Sequence, residues 1–321
     1  MCATLDREHA RLLLDIAHLY WDKDLSQDEI AERLGYSRST VSRKLTEARR
    51  VGIVQVTVAH PIERLMALEE ELTSAFGLKQ ARVTEVSRPF VPGVTPDVAR
   101  AAAELLVEHC GPRSVIAVSN GRAVAAVVHQ MPERTWPTST VVAMIGSAGE
   151  SYDLGDGGDV CRNLAMRLGG RYRSLTVPLV FDSLNLARAV RQEDQVATTL
   201  ELAARSDVAL TGIGAVGEST SPLLRKWMTP QVVRECRRRG AVAHVCGHHL
   251  DAEGQHVPTA LCERTLCMEP ERLKEIPFVV GVAAGEEKVT AIRAALRGGY
   301  LSALVTDEVT ARAVLESATQ A

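Results

Sequence analysis

Ser26-Gln27-Asp28-Glu29-Ile30-Ala31-Glu32-Arg33-Leu34-Gly35-Tyr36-Ser37-Arg38-Ser39-Thr40-Val41-Ser42-Arg43-Lys44-Leu45-Thr46-Glu47-Ala48-Arg49-Arg50-Val51 reads as two short helices joined by a tight turn. Ser26 followed three residues later by Glu29 is a capping-box pattern that starts the first helix. Ile30, Ala31 and Leu34 give it an apolar face. Gly35 ends it, because glycine takes a left-handed conformation at little cost. Ser37 caps the second helix, on which Val41, Leu45 and Ala48 recur at helical spacing and pack against the first. The opposite face carries short hydroxyls and cations. From Ser37 to Arg50 there are five cations and one anion, so the local excess is positive.

This is the layout of a helix-turn-helix whose second helix enters a DNA major groove. There, arginine pairs bidentately with guanine, and hydroxyls meet bases or phosphates. The expected DNA contacts are Ser26 and Gln27 at the start of the first helix and Ser37, Arg38, Ser39, Thr40, Ser42, Arg43 and Lys44 on the second. Upstream, residues 7–21 are predicted helical, with Leu12, Leu13, Ile16, Leu19 and Tyr20 as the apolar stripe and Tyr20 and Trp21 as packing residues. Downstream, Gly52 closes the recognition helix, Ile53–Val58 alternates like a short strand, and Pro61 opens a helix from Ile62 to Phe76 that Gly77 ends. Leu65, Leu68, Leu72 and Phe76 on that helix serve either a dimer contact or docking on their own domain.

At 321 residues the chain has room for a small and a large domain. We expect residues 1–58 to be the DNA-binding domain and 59–321 an effector and oligomerisation domain. Net charge is −3, which excludes a general polyanion binder and confines DNA contact to the basic helix. Seven cysteines without a C-x-x-C pair and no signal-like start fit reduced thiols in the cytoplasm. No apolar run is long enough for a membrane span.

From residue 80 onward, short β-branched runs alternate with helices. Candidate strands are 81–84, 114–118, 140–145, 174–177, 208–213, 241–245, 278–282 and 303–306. Candidate helices are 97–109, 121–130, 158–168, 183–190, 194–205, 230–239, 286–297 and 307–317. Such alternation predicts a Rossmann-like α/β domain with a mostly parallel sheet, and its ligand lies beyond the C-terminal strand ends. The loops there are Ser119-Asn120-Gly121-Arg122, Gly146-Ser147-Ala148-Gly149-Glu150, Gly212-Ile213-Gly214 with Gly217, and Ala283-Ala284-Gly285-Glu286-Glu287-Lys288. Glycine turns before helices let backbone N–H groups approach an anion, and Arg122 and Lys288 neutralise it. A small anionic ligand is therefore expected.

No G-x-x-x-x-G-K-[ST] loop and no G-x-S-x-G elbow occurs, which argues against an NTP P-loop and a serine hydrolase. His244, Cys246, His248, His249, Asp251 and His256 crowd into thirteen residues. They lack standard structural-zinc spacing, and adjacent His248 and His249 alternate across a strand, so no metal and no cofactor are expected.

Both halves together resemble the SorC family of bacterial sugar-responsive transcriptional regulators, also called the DeoR-like sugar-binding-domain group. In the head the resemblance rests on residues 26–35, 37–43 and 48–54. In the large domain it rests on Val118-Ser119-Asn120-Gly121-Arg122, on the stretch from Val282 to Gly299, and on Leu304 to Ala311. The resemblance implies an effector domain similar to sugar-phosphate isomerases of the glucosamine-6-phosphate deaminase type. It implies homo-oligomers, dimers or tetramers, in which a small phosphorylated sugar alters binding to double-stranded operator DNA. By carry-over it places Gly121, Arg122, Gly146, Ser147, Gly149, Asp251, Glu269 and Lys288 in the pocket. The chain departs from the family pattern at Asn120 (often Trp), Ala284 (usually Gly) and His244 (commonly Asp). The loop 146–150 has no lysine, so ligand binding should be reversible and non-covalent. Two other readings compete: a sugar-phosphate isomerase or deaminase using Asp251 with His249 or Glu150 with Asp153, and a redox or metal sensor using Cys246 and its histidines.

Overall fold

The computed structural model describes residues 7–54, 61–86, 94–147, 157–217 and 226–319. The chain divides into two compact units, Met1–His60 and Pro61–Ala321. The first contains α1 (Arg7–Ala17), α2 (Gln27–Leu34) and α3 (Arg38–Arg50). Ser26 Oγ accepts from the Glu29 N–H while Glu29 returns a carboxylate to the Ser26 N–H, and Gly35 sits at φ +70°. Ser37 Oγ accepts from the Thr40 N–H. These caps satisfy helix-end donors that would otherwise be orphaned. Ile16, Ile30 and Val41 are fully buried and Leu45 nearly so. At about 1.5–3 kcal/mol per buried aliphatic side chain, this small core is what holds three short helices together. The predicted helix 7–21 changes register on the way: after Ala17 it widens into a π-helical turn, His18–Asp22, with the Leu25 N–H reaching back to the Leu19 carbonyl. The expected strand 53–58 falls mostly outside the described residues.

The second unit runs α4 (Pro61–Phe76), β1 (Gln80–Thr84), α5 (Pro96–Glu108), β2 (Val115–Val118), α6 (Arg122–Gln130), β3 (Thr140–Ala143), α7 (Gly157–Leu168) and β4 (Arg171–Arg173). It continues with α8 (Leu184–Gln192), α9 (Asp194–Ala204), β5 (Val208–Ala215), α10 (Pro230–Arg238), β6 (Ala243–Val245), β7 (His248–Leu250), α11 (Ala260–Glu263) and α12 (Pro270–Glu275). β8 (Phe278–Val282), α13 (Val289–Arg297), β9 (Ala303–Asp307) and α14 (Glu308–Thr319) complete it. The sheet order is β1-β9-β8-β5-β2-β3-β4, and every pair along it is parallel. β8 is buried at all five positions, the continuous apolar run of a strand covered on both faces. α4 docks on this unit through buried Leu68 and Leu72, while Ile62 and Met66 stay exposed.

Two departures from the sequence pattern have physical causes. The strand expected at 174–177 is instead β4, whose three residues are exposed. An edge strand needs backbone pairing, here with β3, and not an apolar side-chain pattern. β7 is not among the strands expected from the sequence. It follows a two-residue turn in which Cys246 (φ 48°) and Gly247 (φ 82°) both take positive φ. That is the geometry of a tight hairpin, which Asn-Gly signals and Cys-Gly does not. The β6–β7 hairpin joins the sheet antiparallel to β5, pairing Gly214 with His244 and, within itself, His244 with His249.

Candidate functional site

β8, β5, β2 and β3 are adjacent and parallel, so their following loops emerge at one edge. The chain turns outward in opposite directions from β2 and β5, which makes their junction the topological switch point. Ser119 N–H bonds the Leu210 carbonyl at 3.0 Å, tying the two strands together up to the turn. Gly121 follows at φ 123°, ψ 165°, and Gly285 after β8 at φ 115°, ψ 145°. Both conformations are open in practice only to glycine. Gly121 is the N-cap of α6 and supplies no side-chain acceptor, so the first N–H groups of that helix remain available to an anion. Gly212 lies under the start of α6, with Ala123 and Val124 at 3.8 Å from where its Cβ would stand. The Gly285 N–H is different: it is committed to Thr310 Oγ1 at 2.8 Å, and the Thr310 N–H to Asp307. Gly285 therefore fixes the loop rather than donating to a ligand.

Lys288 is half-buried at the entrance to α13. Burial, together with the positive charge of Arg122, lowers its pKa, and Glu287 partly offsets this. Among the described residues Lys288 makes no ion pair with Glu286 or Glu287. Arg122 and Lys288, from loops after β2 and β8, thus converge as two cations within Coulombic reach of one another. His244 joins them: burial, His249 and Lys288 lower its pKa to about 3, so it is neutral. A Cβ on Gly214 would overlap the His244 imidazole, which explains a glycine in mid-strand. Asn120 donates Nδ2–H to the Gly146 carbonyl at 3.0 Å. Its Oδ1 and His244 Nε2 are buried without a partner among the described residues. The edge thus offers two cations, open helix N–H groups, an acceptor oxygen and a neutral imidazole, a set suited to a hydroxylated anion.

Of the expected pocket residues, Gly121, Arg122 and Lys288 come together. Gly146 joins them through Asn120. Ser147 uses its N–H and carbonyl in bonds to Val177 and Leu179, and Gly149 lies outside the described residues. Asp251 and Glu269 have partners of their own. Asp251 Oδ1 accepts from the Glu253 and Gln255 N–H groups in a turn held by Arg297, at the opposite end of α13 from Lys288. Glu269 is exposed and paired with Arg191 at 2.9 Å. Asn120 and His244 were not chosen from the sequence, although both stand where the chain departs from the family pattern.

On the head, Arg43 is exposed and has no ion-pair partner among the described residues. Arg38 lies 3.7 Å from Asp28, both well exposed. Lys44, expected to point outward, instead turns toward α1: its Nζ is 3.3 Å from Glu47 and from the His9 ring. Ser37 Oγ bonds the hydroxyls of Ser39 and Thr40, and the Ser26 hydroxyl bonds Glu29. Arg49 lies over Trp21 at 5.3 Å, so that ring packs within the head, as the sequence suggested.

The sugar-binding domain profile matches residues 60–316 and the Crp-like helix-turn-helix profile residues 9–71. The chain belongs to the SorC family of transcriptional regulators. It is 30% identical over 97% of its length to the deoxyribonucleoside regulator of Bacillus subtilis, covering 99% of that protein. It is 32% identical over 94% of its length to the transcriptional regulator LsrR of Escherichia coli, covering 93% of it. The full-length sorbitol operon regulator SorC of Klebsiella pneumoniae superposes with a TM-score of 0.75 at 28% identity, over 96% of this chain and 99% of that one. These relatives are regulators, and the enzyme reading is not favoured. Among the described residues no helix is long and apolar enough to cross a membrane.

Two outcomes follow for this SorC-family chain. Arg43→Ala should weaken binding to a selected operator by about 1–3 kcal/mol if the side chain reads a guanine, or lower affinity on all duplexes and reduce the salt slope by about one if it holds a phosphate. Lys44→Ala should change operator affinity less; fluorescence anisotropy across a salt series checks both. The second concerns pH. His244 binds a proton more weakly folded than unfolded, so its contribution is present above its unfolded pKa near 6.5 and is lost as pH falls toward 3. Between pH 7 and 5, denaturant titration should show wild type losing about 2 kcal/mol more than His244→Asn.

Proposed function

We propose that residues 1–58 read operator DNA and that residues 59–321 sense a small phosphorylated sugar, which controls that binding. The observation that carries this reading is the convergence of Arg122 and Lys288 beside the uncapped start of α6. A half-desolvated cation that repels its neighbour is stabilised by a dianion, and charge-assisted hydrogen bonds are roughly twice as strong as neutral ones. Asn120 Oδ1 and His244 Nε2 then meet the sugar hydroxyls. The names of the relatives support the sugar part: one regulates a sorbitol operon and another is a deoxyribonucleoside regulator. The topological switch point at the β2–β5 junction also supports kinship with sugar-phosphate isomerases and deaminases, as a binding fold rather than a catalyst. Of the two candidate acid–base pairs, Asp251 is spent on its own turn, and Glu150 and Asp153 lie outside the described residues.

Control of DNA requires the ligand to bind one arrangement of heads better than another. A complete switch from 1:99 to 99:1 takes about 5.5 kcal/mol of differential affinity. Heads act in pairs on two-fold related half-sites, so the reading includes a homo-oligomer acting in the cytoplasm. The exposed apolar side chains Ile62 and Met66 of α4 and Val309 of α14 support this. Calorimetry with paired phosphorylated and free sugars tests the effector. The phosphorylated member should bind at least about tenfold more tightly, a difference of about 1.4 kcal/mol, and Lys288→Ala should abolish that preference while leaving ligand-free operator binding intact. Equal affinity for the two members of every pair would remove the phosphate from the account.

A further inference from the structure

The hairpin that presents His244 has a second polar cluster behind it. His248, His256 and Cys262 each offer one ligand atom, and these atoms lie within 4.8 Å of one another. His248 Nε2 stands 2.7 Å from the carbonyl oxygen of Met268. A carbonyl only accepts, so Nε2 carries the hydrogen and Nδ1 carries a lone pair. Cys267 Sγ lies 3.2 Å from that same Nε2. His248 is 4% exposed, and its Nδ1 is buried with no partner among the described residues; His256 Nε2 is likewise unpartnered. Two buried imidazole nitrogens left without donors beside a sulfur are costly unless something takes their lone pairs.

The surroundings hold these groups as outer-shell partners hold metal ligands. The Met268 carbonyl fixes the His248 ring. The His249 backbone N–H donates to Cys262 Sγ at 3.2 Å, with His249 Nδ1 2.9 Å from the same sulfur and 2.8 Å from Thr259 Oγ1. Thr259 caps α11 by accepting from the Cys262 N–H. Asp251 closes the turn that brings the chain back, so that His256 bridges to Leu250 beside β7. The exposed carboxylates of Glu269 and Glu271 lie within Coulombic reach of His256, adding a negative potential.

We propose that His248, His256 and Cys262 bind a divalent cation of the Zn²⁺ type. Two imidazoles and a thiolate suit a borderline-soft ion in tetrahedral coordination, with the fourth position left to water. Binding forms a metal–sulfur bond and releases the Cys262 thiol proton to solvent, so affinity rises with pH. His248 and its neighbour His249 cannot both face one ion. Those two do alternate across the strand, and the fold instead supplies His256 and Cys262 at spacings of seven and five intervening residues. An ion there would clamp β7 to the returning chain and α11, and so hold the hairpin that carries His244.

Co²⁺ titration of the full-length, chelator-stripped protein tests this. One equivalent per chain should bind with a thiolate-to-cobalt charge-transfer band that Zn²⁺ displaces. Cys262→Ser should lose the band, and His256→Asn should weaken Co²⁺ by at least about 100-fold, no less than loss of an outer-shell partner costs. Cys110→Ser, outside the cluster, should behave as wild type. His256 is only partly buried, so if Cys262→Ser fails to fold, the His256→Asn titration decides. Absence of the band in wild type, a stoichiometry well below one, or unchanged Co²⁺ affinity in His256→Asn would overturn the site, whatever the effector proves to be.

Discussion

Parallel pairing of β8, β5, β2 and β3 is the constraint on which the large unit depends. Parallel neighbours must all end at the same edge, so four chain turns emerge there whatever their sequences. Two of those turns pass through backbone conformations available only to glycine, at Gly121 and Gly285. A side chain at either would force the following helix to start elsewhere. Because the turns are fixed, Arg122 and Lys288 come within Coulombic reach of one another from loops 166 residues apart in number. Their mutual repulsion is kept because strand pairing outweighs it, which is a common way for a binding site to hold unfavourable charge in readiness.

The head obeys a different economy. Its core is small, so caps and side-chain pairs matter more than in the large unit. Ser26, Ser37, Lys44 and Arg49 are drawn into holding three short helices together, which leaves Arg43 as an uncommitted cation. With a net charge of −3 over the chain, long-range attraction to DNA is weak, and affinity must come from contacts in register with the groove.

Much of this was legible in the sequence because it is local. The capping box, the glycine at the helix end and the period of Val41, Leu45 and Ala48 are decided within a few residues, and the α/β alternation by runs of five to twelve. What was not legible depends on partners distant in sequence. The edge strand at 171–173 is chosen by β3 and not by its own apolarity. The β6–β7 hairpin turns on a cysteine in a left-handed conformation. Lys44 looks outward on a helical wheel and is turned inward by His9, 35 residues before it. Asp251 and Glu269 were carried over by family position; the structure shows Asp251 bonded within its own turn and Glu269 ion-paired with Arg191. Asn120 and His244 carried a signal, their departure from the family pattern, but only packing against Gly146 and Gly214 gives it meaning.

A regulator of this kind stands or falls on coupling between its two units. The most direct measurement is the affinity of the full-length protein for a selected operator duplex, with and without a saturating phosphorylated sugar chosen by calorimetry, together with the sugar's affinity with and without operator. The account predicts that both affinities change, and by the same factor, because linkage between two binding equilibria is reciprocal. An operator affinity identical at zero and saturating sugar phosphate would contradict it.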